Sequence, residues 1–240
     1  MNDNSVVNLY TDLANNPHKD FGWDKGLQNA LNHGYKPEWV EQIPDTIWDY
    51  CAAVGNPFSP GAINPGDYVL DIGCGAGLDL CIAALLVGEQ GRVFGVDVTP
   101  AMVEKATQHA KLAEFPNISV LEGSSEKLPI EDEYIDVIIS NGAINLAYSK
   151  ETVFAEAYRV LKPGGHLYFS DMIKDDSHSL DCTCSANDSW ANCIAGTLKS
   201  DEIIKTLLNA GFKDVELLST NHYKTSASTI GASFSARKQP

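Results

Sequence analysis

The chain has 240 residues, 44% hydrophobic and 20% charged, with 17 Lys and Arg against 32 Asp and Glu for a formal net charge of −15. That length buries a substantial core without staples, and the apolar-to-charged balance excludes a disordered chain. No apolar run reaches the roughly 18–20 residues that span a bilayer, and an acidic field without a basic patch opposes phosphate backbones, so neither a membrane nor a nucleic acid is expected as a partner.

Residues 1–60 read as an N-terminal helical cap and 61–240 as the main domain. The opening MNDNSVVNLYTDLA lacks the basic region and apolar core of a secretory leader, which gives a cytoplasmic expectation with six reduced cysteines. Trp39, Val40, Ile43, Ile47 and Trp48 recur at helical spacing over 37–54, interrupted at Pro44. Tyr10, Phe21, Trp23, Tyr35, Trp39 and Trp48 read either as core or as an aromatic wall over a charged ligand. The turn signal Asn64-Pro65-Gly66-Asp67 then opens an alternation. Strands are predicted over 68–72, 92–96, 118–121, 135–140 and 166–170, and helices over 76–87, 100–114, 150–161 and 201–210. Closing strands follow over 215–218 and 230–236. Repeated βα units predict an α/β fold with a doubly wound, mostly parallel, seven-stranded sheet. The polar stretch 174–199 breaks the pattern and reads as a Cys-bearing loop or lid after the fifth strand.

The sharpest motif is VLDIGCGAGLD over 69–79, a strand followed by Gly73, Gly75 and Gly77 and then an apolar helix. A glycine turn at a helix N-terminus also serves dinucleotides. Asp71, two residues before the first glycine, repels a pyrophosphate and tolerates a cationic aminoacyl or sulfonium ligand, which favours S-adenosylmethionine. Asp97, at the end of the next strand, is placed to accept from both ribose hydroxyls. Its bland alternative is capping the helix at Pro100, for which Thr99 is the better candidate. Ser124 and Ser125 in EGSSEKLP offer hydrogen bonds to an adenine edge or simply form a polar turn. Asn141 ends a buried strand at the carboxyl edge of the sheet.

Together DIGCGAG, GVDVTPAM, GSSEKLP and RVLKPGGHL resemble the class I S-adenosylmethionine-dependent methyltransferases over roughly 60–172, which implies a Rossmann-like sheet. Within that superfamily the chain is similar to arsenite methyltransferases through GNP at 55–57, VLDxGxGxGxD at 69–79, GVDxTPxM at 95–102, IISNxxINL at 138–146 and CxxGxL at 193–198. The resemblance implies a cofactor cavity lined by Asp71, Gly73, Cys74, Gly75, Asp97, Val98, Thr99, Met102, Ser124, Ser125 and Asn141.

It also implies a metalloid or other small-molecule acceptor, with a cellular thiol as reductant. A soft nucleophile brings its own lone pair, so thiolates rather than a His–Asp pair are the groups to seek. Cys193 matches the family's late arsenic-binding cysteine, and Cys182 and Cys184 could complete a three-thiolate site for As(III). The family's other cysteine of that pair, after the Asn of SNxxINL, is Gly142 here. Two alternatives stay open: methylation of an organic carbon, nitrogen or sulfur nucleophile, and metalloid or metal binding without turnover, where His178 could join the three cysteines on zinc. Cys74 and Cys81 read as small buried hydrophobes. Cys51 stays ambiguous, and His109 is expected on a polar helix face.

Overall fold

The computed structural model describes residues 4–175, 196–224, 226 and 228–240. Four helices precede the sheet: α1 (Asn4–Asn15), α2 (Leu27–Asn32), α3 (Pro37–Val40) and α4 (Asp45–Trp48). The helical stretch expected over 37–54 is two single turns. Pro37 opens one, its fixed φ suiting a first helical position, and Pro44, with no N–H to extend the first, caps the second.

The main body follows as β1 (Tyr68–Ile72), α5 (Leu78–Val87), β2 (Arg92–Asp97), α6 (Pro100–Leu112), β3 (Ile118–Glu122) and β4 (Ile135–Asn141). It continues through α7 (Lys150–Val160), β5 (Leu161–Lys174), α8 (Ser200–Asn209), β6 (Lys213–Thr220) and β7 (Thr229–Arg237). A single 3-10 turn, Ile144–Leu146, follows β4. The seven strands form one sheet in the order β3-β2-β1-β4-β5-β7-β6. Pairings among β1 to β5 are parallel, while β7 runs antiparallel to both β5 and β6. The mostly parallel, doubly wound sheet is as expected. Its strand order reverses beside β1, which opens a crevice at the carboxyl ends of β1 and β4.

Several boundaries differ from the sequence reading, three of them for a visible reason. Helix α5 starts at Leu78 rather than 76 because Gly77, with φ +89°, is still left-handed turn. Helix α6 stops at Leu112, short of Glu114 at φ +59°. Strand β5 begins at Leu161, taking the residue assigned to the preceding helix, and runs to Lys174. Its Pro163-Gly164-Gly165 segment pairs with the chain's end, Gly164 N–H donating to Lys238 C=O and Lys238 N–H to Gly165 C=O, both 2.9 Å.

One face of the sheet packs Phe169 and Phe234 against Phe154 of α7 and Leu207 of α8. On the other side Trp39, Ile47 and Trp48 pack on Leu78, Cys81 and Ile82 of α5. Fully burying each such side chain stabilises by roughly 1.5–3 kcal/mol. Tyr35, Trp39, Trp48 and Phe58 meet edge to face at 5.3–6.4 Å. Trp39 and Trp48 are therefore core, and this packing fixes residues 35–58 over the N-terminal end of α5. Among the described residues no helix is long and apolar enough to cross a membrane.

Candidate cofactor cavity

The turn after β1 is held by its backbone. A Cβ at Gly73, where φ is +74°, would stand 2.2 Å from the Ala143 Cβ, so only glycine lets the turn pass the end of β4. Gly73 and Cys74 donate their N–H groups to Val96 C=O at 2.8 and 3.2 Å. Gly75 N–H donates to Asp97 Oδ2 at 2.9 Å, and Thr99 N–H donates to Asp97 Oδ1 at 2.8 Å. One carboxylate thus braces both the glycine turn and the entry to α6. Thr99 occupies the N-cap position, but its side chain makes no capping bond to the helix.

His109 corrects an expectation: it is buried rather than on a polar face. Its Nδ1 lies 2.8 Å from Ala76 C=O, and its ring meets Tyr50 edge to face at 5.0 Å. The imidazole ties α6 to the glycine turn, and burial pushes its pKa down.

Three carboxylates converge on the turn. Asp71 and Asp97 are buried, and Asp79, in the first turn of α5, is half-buried. Burial raises all three: Asp97 moderately against its two backbone donors, Asp79 to about 6, and Asp71 further because Asp79 and Asp97 repel its charge. No hydrogen bond from a described residue is among the influences on Asp71. Asp79 is better served, the Tyr35 hydroxyl donating to its two oxygens at 2.8 and 3.1 Å. Tyr35 accepts from Asn141 Nδ2 at 2.9 Å. The Asn141 amide also donates to Gly55 C=O at 3.1 Å and accepts from Val54 N–H at 3.1 Å. Its side chain therefore joins residues 54 and 55 to the end of β4.

These groups wall a cavity of about 220 Å³. All eleven residues expected from sequence line it: Asp71, Gly73, Cys74, Gly75, Asp97, Val98, Thr99, Met102, Ser124, Ser125 and Asn141. Ser124 Oγ also accepts from Glu126 N–H at 3.2 Å, so the polar-turn reading holds alongside the cavity placement. Of the aromatic wall, Tyr10, Trp23 and Tyr35 line the cavity. The sequence reading missed Asp79, Tyr50, Val54, Tyr148 and Tyr223, which also line it. Asp79 had a signal, as the one charged residue in the otherwise apolar helix LDLCIAALLV.

The acceptor candidates Cys182, Cys184 and Cys193, with His178, lie outside the described residues. Cys51 and Cys74 line the cavity, and Cys81 is buried behind it. Burial and the nearby carboxylates push these thiols up, Cys81 to about 12, so all three stay protonated near neutrality. Among the described residues no group of three His, Cys, Asp or Glu side chains is placed to hold a metal ion. Carboxyl groups around a glycine turn, with Asp71 lacking a donor from the described residues, fit a ligand whose positive charge and N–H groups would favour their ionised forms.

A family described as "Methyltransferase domain" matches residues 63–211. An arsenite methyltransferase of Halobacterium salinarum is 39% identical over 184 residues, covering 77% of this chain and 46% of that protein. One of Aquipseudomonas alcaligenes is 38% identical over 223 residues, covering 89% of this chain and 63% of that protein. The chain thus spans roughly half to two-thirds of the length of these curated relatives. Among solved structures, an arsenic(III) S-adenosylmethionine methyltransferase from Chlamydomonas reinhardtii superposes with a TM-score of 0.71 at 32% identity, covering 85% of this chain and 72% of that one. The chain belongs to the S-adenosylmethionine-dependent methyltransferase family and, within it, is similar to the arsenite methyltransferases.

Proposed function

We propose that the chain transfers a methyl group from S-adenosylmethionine to As(III) carried on thiolates. The observation that carries this reading is the convergence of the glycine turn, Asp71 and Asp97 on one cavity, in a chain whose relatives are arsenite methyltransferases. When bound, the cofactor supplies a methyl group on a cationic sulfur. Asp97, already accepting from Gly75 N–H, Thr99 N–H and the Thr99 side chain, keeps acceptor capacity on its carboxylate that would take a ribose hydroxyl. The Gly73 to Gly75 backbone would hold the aminoacyl portion and Asp71 its ammonium. Val98, Thr99 and Met102 would flank the adenosine, with Ser124 and Ser125 at the adenine edge. Asn141 would act through residues 54 and 55, which it holds in place.

As(III) has its own lone pair, so the residues need only bind and orient it, without a general base. Cys193, with Cys182 and Cys184, would capture it by replacing its oxygens. A cellular thiol would keep the arsenic trivalent, which fits a cytoplasmic setting, and residues 1–60 would cap the cavity.

A second reading has its own observation. A Cβ at Gly142, with φ +68°, would face the Val54 methyls at 3.4 and 3.6 Å, so the wall is apolar where arsenite methyltransferases carry a cysteine. That surface favours a small organic carbon, nitrogen or sulfur nucleophile. Release of S-adenosylhomocysteine, with and without As(III), from wild type and Cys193→Ser separates the two. Arsenic-dependent release that Cys193→Ser abolishes supports the first reading. Arsenic-independent turnover, unchanged in the variant, supports the second. Cofactor binding without release under any condition would leave a binding protein on this scaffold.

A further inference from the structure

Methyl transfer changes the charge of the bound donor. The carbon–sulfur bond breaks, its electron pair stays on sulfur, the methyl group leaves for the acceptor, and a cationic sulfonium becomes a neutral thioether. Donor and product share every other group, so a protein separates them chiefly by charge.

We propose that Asp79, aimed by Tyr35, is a specificity-determining residue that makes the cavity prefer the cationic donor to its neutral product. This rests on the cofactor reading above and goes beyond it, because neither the glycine motif nor the ribose carboxylate distinguishes the two molecules. The geometry is specific. Asp79 lines the cavity from the first turn of α5, where the helix dipole favours negative charge. Among the described residues its two oxygens receive the Tyr35 hydroxyl at 2.8 and 3.1 Å, with the Asn141 amide also acting on them.

Tyr35 is itself directional. It accepts from Asn141 Nδ2 at 2.9 Å, which turns its proton toward Asp79. The chain of donors Asn141 to Tyr35 to Asp79 therefore ends on the carboxylate and supports its ionised form. The other titratable groups acting with Asp79 are Asp71, Tyr35, Cys51 and Cys81. Burial and the Asp79 charge hold the phenol and both thiols in their neutral forms. What remains at this end of the cavity is the negative charge of Asp79, in a setting of lowered dielectric, while burial and that charge push Asp71 toward its neutral form.

A sulfonium bound there offsets the Asp79 charge, and its conversion to a thioether leaves that charge unpaired again. Product departure is thereby favoured without any movement of the fold. Protonation of Asp79, which begins as the pH falls toward 6, removes the preference.

The test is calorimetric titration of the full chain with S-adenosylmethionine and with S-adenosylhomocysteine from pH 8 to pH 5, in wild type, Asp79→Asn and Tyr35→Phe. Wild type is expected to bind the donor about tenfold more tightly than the product at pH 8, the order of magnitude for one carboxylate acting across a cavity. The ratio should narrow as pH falls through 6. Asp79→Asn should lose most of the ratio, with product affinity changed less than about twofold and a flatter pH dependence. Tyr35→Phe, which keeps the carboxylate but not its donor, should move the narrowing to higher pH. Product binding as tight as donor in wild type at pH 8 overturns the proposal, as does equal loss of both affinities in Asp79→Asn. Should that variant fail to fold, the wild-type pH series decides alone. Failure of wild type to bind either molecule instead overturns the cofactor reading.

Discussion

Gly75 N–H donates to the Asp97 carboxylate at 2.9 Å across 22 residues of sequence, so the turn after β1 and the end of β2 form one unit. Replacing Asp97 by Ala removes the ribose acceptor and leaves the Gly75 and Thr99 N–H groups without it. Affinity for S-adenosylhomocysteine is expected to fall by at least about 30-fold, and stability by about 1–3 kcal/mol. Calorimetry and urea unfolding on the same samples check both; unchanged affinity would remove Asp97 from the cofactor site.

Gly73→Ala combines left-handed backbone with a Cβ 2.2 Å from that of Ala143. Neither the turn nor β4 can move without breaking hydrogen bonds to Val96 or Ser170. A loss of about 2–4 kcal/mol is expected in urea unfolding, larger than the effect of a Gly-to-Ala change at an open surface turn.

Asp79 and Asp171, both raised to about 6 from an ordinary 3.8 by burial, contribute to the pH dependence of stability, in the same sense as the raised Asp71 and Asp97. Each holds its proton more tightly in the folded chain than in the unfolded one. The stabilisation this gives is fully present below pH 4 and is lost as pH rises through 6. Asp79→Asn removes one of these groups. The ligand-free variant is expected to match wild type at pH 4 and to exceed it by on the order of 2 kcal/mol above pH 7, the figure being reduced because the side chain faces an open cavity. Thermal unfolding across that range measures it, and a gap that shrinks with rising pH would refute it.

Cys51, Cys74 and Cys81 are buried with raised thiol pKa values. In a Cys182→Ser, Cys184→Ser, Cys193→Ser variant, no thiol should react rapidly with Ellman's reagent at pH 7.5, and three should titrate after denaturation. Rapid native reaction of any one would show that the cavity wall opens.

The sheet and the glycine turn were legible because their signals are local: alternating apolar runs, and glycines at fixed spacing after a strand. Asp71, Asp97 and Asn141 were legible as cavity residues because open α/β sheets gather ligands at the carboxyl ends of their strands. What was missed depends on contacts distant in sequence. The early start of β5 requires Gly164 and Gly165 to pair with Lys238, although Pro163-Gly164-Gly165 reads locally as a turn. His109 looks like a polar-face residue until α6 docks it on Ala76. Tyr35 and Asp79 lie 44 residues apart, and only the docking of 35–58 on α5 brings them together.

The most direct test of the proposed activity is a single incubation of the purified chain with methyl-labelled S-adenosylmethionine, a reducing thiol and As(III), followed by mass spectrometry of both products. The predicted result is S-adenosylhomocysteine together with arsenic carrying the labelled methyl group, in matching amounts. Bound cofactor with no labelled arsenic would contradict it.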